Sequence, residues 1–340
     1  MGRNHEVTRV QPLLDERGEL REPGWSRSLV QRYDRKAIKA PRWRIKEWDY
    51  YLVLNRDFAA AFTVSDDGYI GLQSVSLLVF GEKPWEHTET VLNAFPLGRL
   101  KLPQDSSTGV TEFKNKRLQL RFSVEDGTRH ITCHFERFMD GKALDCDIVL
   151  RQPRMDSLVV ATPWDKRHAF YYNQKINCMR AEGFVRFDGV EYRFDPKTDF
   201  GTLDWGRGVW TYDNTWHWGS GNADIGGNDF GFNLGYGFGN TAAASENVVF
   251  WNGTAHKLDD VCFHIPASYT DPWRITSSDG RFEADFVPVL DRAAKIDFKL
   301  LVSDQHQVFG RMSGRAILDD GAPIVLRDAL CFAEKVHNRY

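Results

Sequence analysis

Seven Asp-Gly or Asn-Gly dipeptides punctuate this chain, at 67–68, 126–127, 140–141, 188–189, 252–253, 279–280 and 320–321. Both residues of such a pair tolerate positive φ, the backbone geometry that a two-residue antiparallel hairpin demands. β-rich runs flank most of them. Phe122-Ser-Val-Glu leads into 126 and His130-Ile-Thr-Cys-His-Phe leads out of 127; Val248-Val-Phe-Trp leads into 252 and Ala255-His-Lys-Leu leads out of 253. Repeated hairpins at this spacing predict an antiparallel all-β protein, barrel or sandwich. Helical periodicity is scarce, and short helices are expected only around residues 28–36 and 84–90. The 340 residues exceed one small barrel and suffice for two. Residues 195–199, Asp-Pro-Lys-Thr-Asp, form a turn-rich break. The expectation is therefore two consecutive antiparallel β-barrels, over residues 1–200 and 201–340, with a single large sandwich as the alternative.

Fifteen residues after that break carry the densest chemistry of the chain. Residues 204–218 read Asp-Trp-Gly-Arg-Gly-Val-Trp-Thr-Tyr-Asp-Asn-Thr-Trp-His-Trp. Two readings stay open. In one, the rings plug a barrel, and Arg207 stacks on tryptophan and pairs with Asp204. In the other, Asp204, Arg207, Trp205, Trp210, Trp216 and Trp218 line a pocket with one acid at its floor. His217 lies between two tryptophans and points away from them in a strand; it is either a base near neutrality or a barrel-surface histidine. His256 joins the site only if its hairpin folds inward. Downstream, residues 230–239 alternate Phe230, Phe232, Leu234, Tyr236 and Phe238 with Gly231, Asn233, Gly235, Gly237 and Gly239. With a side-chain period of two, one face is bulky and the other nearly bare. Large rings or a ligand are expected against the bare face, and Tyr236 is a candidate ligand contact.

The stretch Asp204-Trp-Gly-Arg-Gly-Val-Trp, with Trp216-His-Trp-Gly, resembles the signature of a bacterial family filed as a domain of unknown function. Leu14-Asp-Glu-Arg-Gly-Glu-Leu, Asn252-Gly253 with His256-Lys-Leu, and His306-Gln-Val-Phe-Gly with Ser313-Gly314 extend the resemblance along most of the chain. More distantly, the chain is similar to the lipocalin-like superfamily of carotenoid hydratases, fungal cyclase-like proteins and stress-survival factors. That similarity implies two consecutive lipocalin-like barrels, apolar ligands and, in some members, hydration or cyclisation of unsaturated chains. No residue role is carried over from it.

Composition narrows the partners. The formal net charge of -3 gives no electrostatic case for nucleic acid or an anionic membrane. A basic run, Arg32, Arg35, Lys36, Lys39, Arg42, Arg44 and Lys46, reads as a solvated face. Five scattered cysteines, odd in number and without a Cys-x-x-Cys, fit free thiols in a reducing compartment. The start, Met1-Gly2-Arg3-Asn4-His5-Glu6, lacks an apolar run, and no apolar run reaches membrane-spanning length; a cytoplasmic location is expected. His130 and His134 share strand parity at about 13 Å, too far for one metal, so neither metal nor cofactor is expected.

Three functions remain open on these residues. The first is a lipocalin-like protein enclosing an apolar or amphipathic small molecule, with acid-assisted hydration, isomerisation or cyclisation by Asp204 as an extension. The second is a glycosidase using tryptophan stacking and paired carboxylates, Asp204 with Asp229, Glu182 or Glu246. The third is a non-catalytic structural or interaction protein. The sequence leaves the oligomeric state open.

Overall fold

The structure is a computed structural model that describes residues 4–297 and 302–339; Met1, Gly2 and Arg3 of the start discussed above lie outside them. All seven Asp-Gly and Asn-Gly dipeptides fall at hairpin turns between consecutive strands. At 126–127, 140–141, 188–189 and 252–253 both residues carry positive φ, from 46° to 83°, so these sequence choices match the turn that joins the strands. Among the described residues the only helices are two 3-10 turns, Arg35–Ala37 and Arg42–Arg44. The helix expected at 84–90 is instead the strand Trp85–Ala94. That around 28–36 reduces to a two-residue strand and part of a 3-10 turn. The first segment pairs along its whole length with Ile70–Val79, and tertiary pairing overrides weak helical propensity.

Two large antiparallel sheets curl into lipocalin-like barrels. The main path of the first runs, edge to edge, Trp85–Ala94, Ile70–Val79, Phe58–Asp66, Ile45–Leu54, Phe200–Val209, Phe170–Phe187, Lys142–Arg151, Thr128–Met139, Leu118–Glu125 and Gly109–Lys114. His87 reaches across from one edge to the carbonyl of Phe138, 2.9 Å away. The second sheet runs Thr254–Lys257, Val248–Trp251, Asn228–Tyr236, Asp213–Ile225, Pro323–Arg339, Val302–Ile317, Phe282–Asp297, Trp273–Ser277 and Val261–His264. The chain passes between sheets at residues 210–212. Phe200–Val209, placed after the break at 200 by the sequence, pairs with Ile45–Leu54 and Phe170–Phe187, and so completes the first sheet. No helix of the described residues is long and apolar enough to cross a membrane.

Three cores result. One fills the first barrel with residues such as Phe62, Phe122, Phe135 and Leu150. Another fills the second with Phe232, Trp273, Phe282 and Phe286. The third is a seam to which both sheets contribute: Tyr50, Leu52, Tyr171 and Trp210 from the first meet Trp218, Phe238, Phe309 and Phe332 from the second.

The alternation expected over residues 230–239 holds as far as Tyr236, where the strand ends, and it is what allows the seam to close; Gly237 and Gly239 carry positive φ, and Phe238 turns into the seam. Phe230, Phe232 and Leu234 turn into the second barrel, and the glycine face turns to the first. A Cβ on Gly231 would stand 2.8 Å from Cys178 Sγ and 2.9 Å from Asn177 Cβ; one on Gly235 would stand 3.0 Å from Glu246 Oε2. Ring contact is supplied by Phe238, whose Cε2 lies 3.1 Å from where a Cβ on Gly235 would stand. Residues 219–224, Gly-Ser-Gly-Asn-Ala-Asp, belong to the strand Asp213–Ile225, whose glycines admit close neighbours. Gly231→Val should overfill the seam and lower unfolding free energy by about 1–3 kcal/mol; urea denaturation measures this, and an unchanged midpoint would show that the face is not tightly packed.

Candidate functional site

Strand parity sorts the sequence candidates into different places. Asp204 and Arg207 are three residues apart on one strand and face opposite ways. Arg207, with no exposure, points into the first barrel. Its Nη2 lies 2.9 Å from Asp49 Oδ1, and it donates to the carbonyls of Trp48, Gly206 and Pro103. Its guanidinium stacks 4.1 Å from the Trp205 ring. The expected Asp204–Arg207 pair is therefore replaced by Asp49–Arg207, and Trp205 goes with it into the first barrel core. His217 and Tyr236 stack at 4.4 Å near Phe263, on the second-barrel side of their strands. Burial, with Lys335 adding to it, pushes the His217 imidazole down to about 4, so it is neutral at pH 7. His256 sits against Asp319, with Nδ1 3.2 Å from Oδ2. None of these joins Asp204.

What does join Asp204 is a cluster at the seam. Asp204 accepts from Asn173 Nδ2 at 2.6 Å and pairs with Lys175 Nζ at 2.9 Å. Asn173 and Lys175 come from Phe170–Phe187, directly beside the Asp204 strand: Lys175 is the cross-strand partner of Asp204. Lys175 is 1% exposed, and its ammonium lies 3.9 Å from the centroid of the Trp218 ring. The indole face attracts the cation across the seam. Trp218 is held in turn by its N–H, which donates to Asn233 Oδ1 at 2.7 Å. Trp210 and Trp216 meet edge to face at 5.4 Å, and Trp210 also packs on Tyr171, Trp48 and Phe238. The N–H of Trp216 donates to Glu334 Oε1, whose other oxygen accepts from Gln307.

Glu246 is the unusual member. It is buried, and neither carboxylate oxygen meets a donor at full hydrogen-bond geometry, although the Tyr171 hydroxyl and the Asn233 amide lie near enough to favour its charge. Tyr171 Oη, Tyr50 Oη and Asn173 Oδ1 are buried in the same condition. Burial raises the Glu246 carboxyl above its ordinary value of 4.5; Lys175, the Tyr171 hydroxyl and the Asn233 amide oppose the rise, and the Asp204 charge adds to it. The Tyr171 phenol is pushed well above its usual range, first by burial and then by the Glu246 charge. Glu334 is raised as well, by burial. Buried polar atoms are normally satisfied; such atoms gather here and also occur in the first barrel, at Trp205 Nε1, Arg207 Nε and Arg129 Nε.

Other sequence candidates resolve as structure. His130 lies 2.8 Å from Asp147 and His134 2.7 Å from Asp145, both across the same strand pair. Among the described residues no group of three or more histidine, cysteine or acidic side chains clusters as metal ligands would. Lys46 of the basic run is not solvated: it is buried, and its amine is brought down to about 8 by burial against the attraction of Asp67.

Residues 4–340 match the family described as Domain of unknown function (DUF2804). The chain belongs to this family. The match runs nearly the whole length and does not single out residues 204–210. No curated protein sequence matches this member of the family. Among solved structures, a Nitrosomonas europaea protein provisionally named AttH superposes with a TM-score of 0.52 at 12% identity, covering 86% of this chain and 92% of that one. That likeness supports the shared fold. Kievitone hydratase from Nectria haematococca gives 0.46 at 11% identity, over 87% and 88%; CghA gives 0.49 at 11%, over 97% of each chain.

A double-mutant cycle tests the pairing found here. The Asp49–Arg207 cycle should show a coupling of about 3 kcal/mol, the scale of a buried ion pair with one partner removed. The Asp204–Arg207 cycle should stay within about 0.5 kcal/mol, as for residues without shared partners. The reverse order of couplings would restore the pairing expected from sequence.

Proposed function

We propose that this DUF2804 protein binds an apolar or amphipathic small molecule at the seam between its barrels and performs acid-assisted chemistry on it. Hydration, isomerisation or cyclisation of an unsaturated group fits best. The observation that carries this reading is Glu246: a buried carboxyl whose pKa burial raises despite nearby Tyr171, Asn233 and Lys175, beside a buried Lys175–Asp204 pair. A carboxyl whose pKa is raised by burial keeps its proton nearer neutrality and can give it to a carbon or oxygen of the substrate. Asp204 then has a different role from the acid expected of it. It holds the Lys175 ammonium against Trp218, where the positive charge can stabilise developing negative charge on a substrate oxygen. Tyr171, whose hydroxyl acts on Glu246, adds a neutral donor beside it. The rings of Trp210, Trp216 and Phe238 supply apolar surface for the body of the ligand.

The paired-carboxylate reading is less well supported. Asp229 is bonded to Arg180 and Glu182 to Arg151, so two of its three candidate partners are engaged elsewhere. Only Glu246 acts electrostatically on Asp204's neighbourhood.

Native mass spectrometry of freshly purified protein should reveal a bound apolar or amphipathic molecule. In Glu246→Gln, the bound molecule should change from product to unconverted substrate. Identical ligand profiles in the two proteins would remove Glu246 from the chemistry; a sugar in their place would favour the glycosidase.

Stability against pH gives a ligand-free check. The folded pKa of Glu246 lies above its unfolded value of 4.5. The folded state therefore loses stability as pH rises from about 4.5 through the raised folded value, and keeps it below that window. Glu246→Gln has no such titration, while Glu334 titrates in both proteins. The melting temperature of the variant relative to the parent should accordingly climb across this window and then level off. A difference independent of pH would mean that Glu246 is not desolvated in solution.

A further inference from the structure

Away from the Trp210 end of the seam, the two barrels part around a cavity of about 300 Å³ lined by Leu54, Phe200 and Leu330 and by three arginines, Arg56, Arg311 and Arg327. Arg56 comes from the turn after Ile45–Leu54 in the first sheet; Arg311 and Arg327 come from neighbouring strands of the second. One acid, Asp328, lines the same space and is taken by Arg311 at 3.0 Å. Arg56 and Arg327 make no hydrogen bond or ion pair among the described residues. Two exposed arginines from different barrels thus line one open cavity, with Asp328 engaged by Arg311. A larger cavity of about 750 Å³ adjoins, sharing Ala223, Arg327, Asp328 and Ala329; Ile225, Trp251, Ile324 and Leu326 give it an apolar wall at the mouth of the second barrel.

We propose that this junction is a binding site for an amphipathic anion: a carboxylate or phosphate head held between Arg56 and Arg327, and an apolar body laid along Ile225, Trp251, Ile324 and Leu326. The guanidinium fork matches the oxygen spacing of both head groups, and paired charge-assisted hydrogen bonds supply the specificity. The apolar wall contributes through removal of the ligand chain from water. This site is distinct from the catalytic seam. Phe200 lies four residues before Asp204 on the same strand, about 13 Å at the usual rise.

Isothermal titration calorimetry with decanoate, monodecyl phosphate and decanol, all below micelle formation, tests the assignment. Both anions should bind, and decanol at least tenfold more weakly; the tighter anion identifies the head group. Arg56→Ala/Arg327→Ala should lose at least tenfold in anion affinity, keep its weak decanol binding and keep its melting temperature, because neither side chain is bonded in the fold. Raising the salt concentration should weaken the anions selectively. Glu246→Gln, which disables the chemistry proposed for the seam, should bind decanoate as the parent does, so the two readings fail separately. Equal affinity for decanol and decanoate, anion affinity unchanged in the double variant, or no binding of any of the three would overturn the proposal.

Discussion

The strand Phe200–Val209 is buried at every one of its positions, and the rest of the molecule is arranged around that constraint. A strand with both faces covered must satisfy two cores at once. Its odd residues, Leu203, Trp205, Arg207 and Val209, serve the first barrel; its even residues, Thr202 and Asp204 among them, serve the seam. Each face carries a charge, and each charge needs a local counterion because water is excluded. Asp49 answers Arg207 on one side and Lys175 answers Asp204 on the other. The neighbouring strand Phe170–Phe187 is under the same constraint through its first ten residues, buried without exception, which is why Asn173 and Lys175 can be polar and inaccessible together.

The hairpins were legible because their chemistry is local. An Asp-Gly or Asn-Gly pair fixes its own backbone geometry, so the turn at 188–189 can be read without knowing what the strands pack on. The bare face of residues 230–236 was legible for the same reason: alternation is a property of one segment. What lies opposite that face was not. Asn177 and Cys178 are more than fifty residues away in sequence, and only the docking of the two sheets brings them to Gly231. The aromatic stretch misled in one respect. Reading residues 204–218 as a single unit ignored that the chain leaves one sheet and enters another at 210–212, and that alternation sends Trp205 and Arg207 to the opposite side from Asp204. Trp210, Trp216 and Trp218 do converge on the Asp204 side.

Lys175 and Glu246 differ in the signal that their sequence surroundings carry. Lys175 stands in Phe170-Tyr-Tyr-Asn-Gln-Lys-Ile-Asn-Cys-Met, where Asn173, Gln174, Lys175 and Asn177 interrupt the apolar residues. A strand buried on both faces usually reads as nearly continuous hydrophobic sequence, so the double burial of this one is not legible in its composition. Glu246 follows three alanines and a serine and precedes Asn-Val-Val-Phe. It was considered only as a partner for Asp204 in sugar hydrolysis. A charge embedded among small and apolar residues is itself the anomaly, independent of any reaction assumed for it.

Burying Glu246 with only loosely placed donors, Tyr171 and Asn233, opposes folding, since a polar group left unsatisfied in an apolar setting costs on the order of 1–3 kcal/mol. Packing alone offers a simpler solution: a glutamine or a hydrophobic side chain of similar volume would fill the same space beside Gly235 and Phe238. The arrangement around it is not loose enough for the cost to be incidental. Gly235 leaves room for the carboxylate to within 3.0 Å of where a Cβ would stand, and Lys175 is fixed nearby by Asp204 and Trp218 rather than by Glu246. The positive charge that could have neutralised the acid is committed to another anion, so Glu246 keeps a raised pKa while a cation remains close. Two oppositely inclined groups held apart in one dry seam form the combination that proton transfer to a bound molecule requires. Both barrel interiors and the seam are occupied by their own rings and aliphatic side chains. A molecule that reaches Glu246 therefore has to displace rings such as Trp210, Trp218 or Phe238.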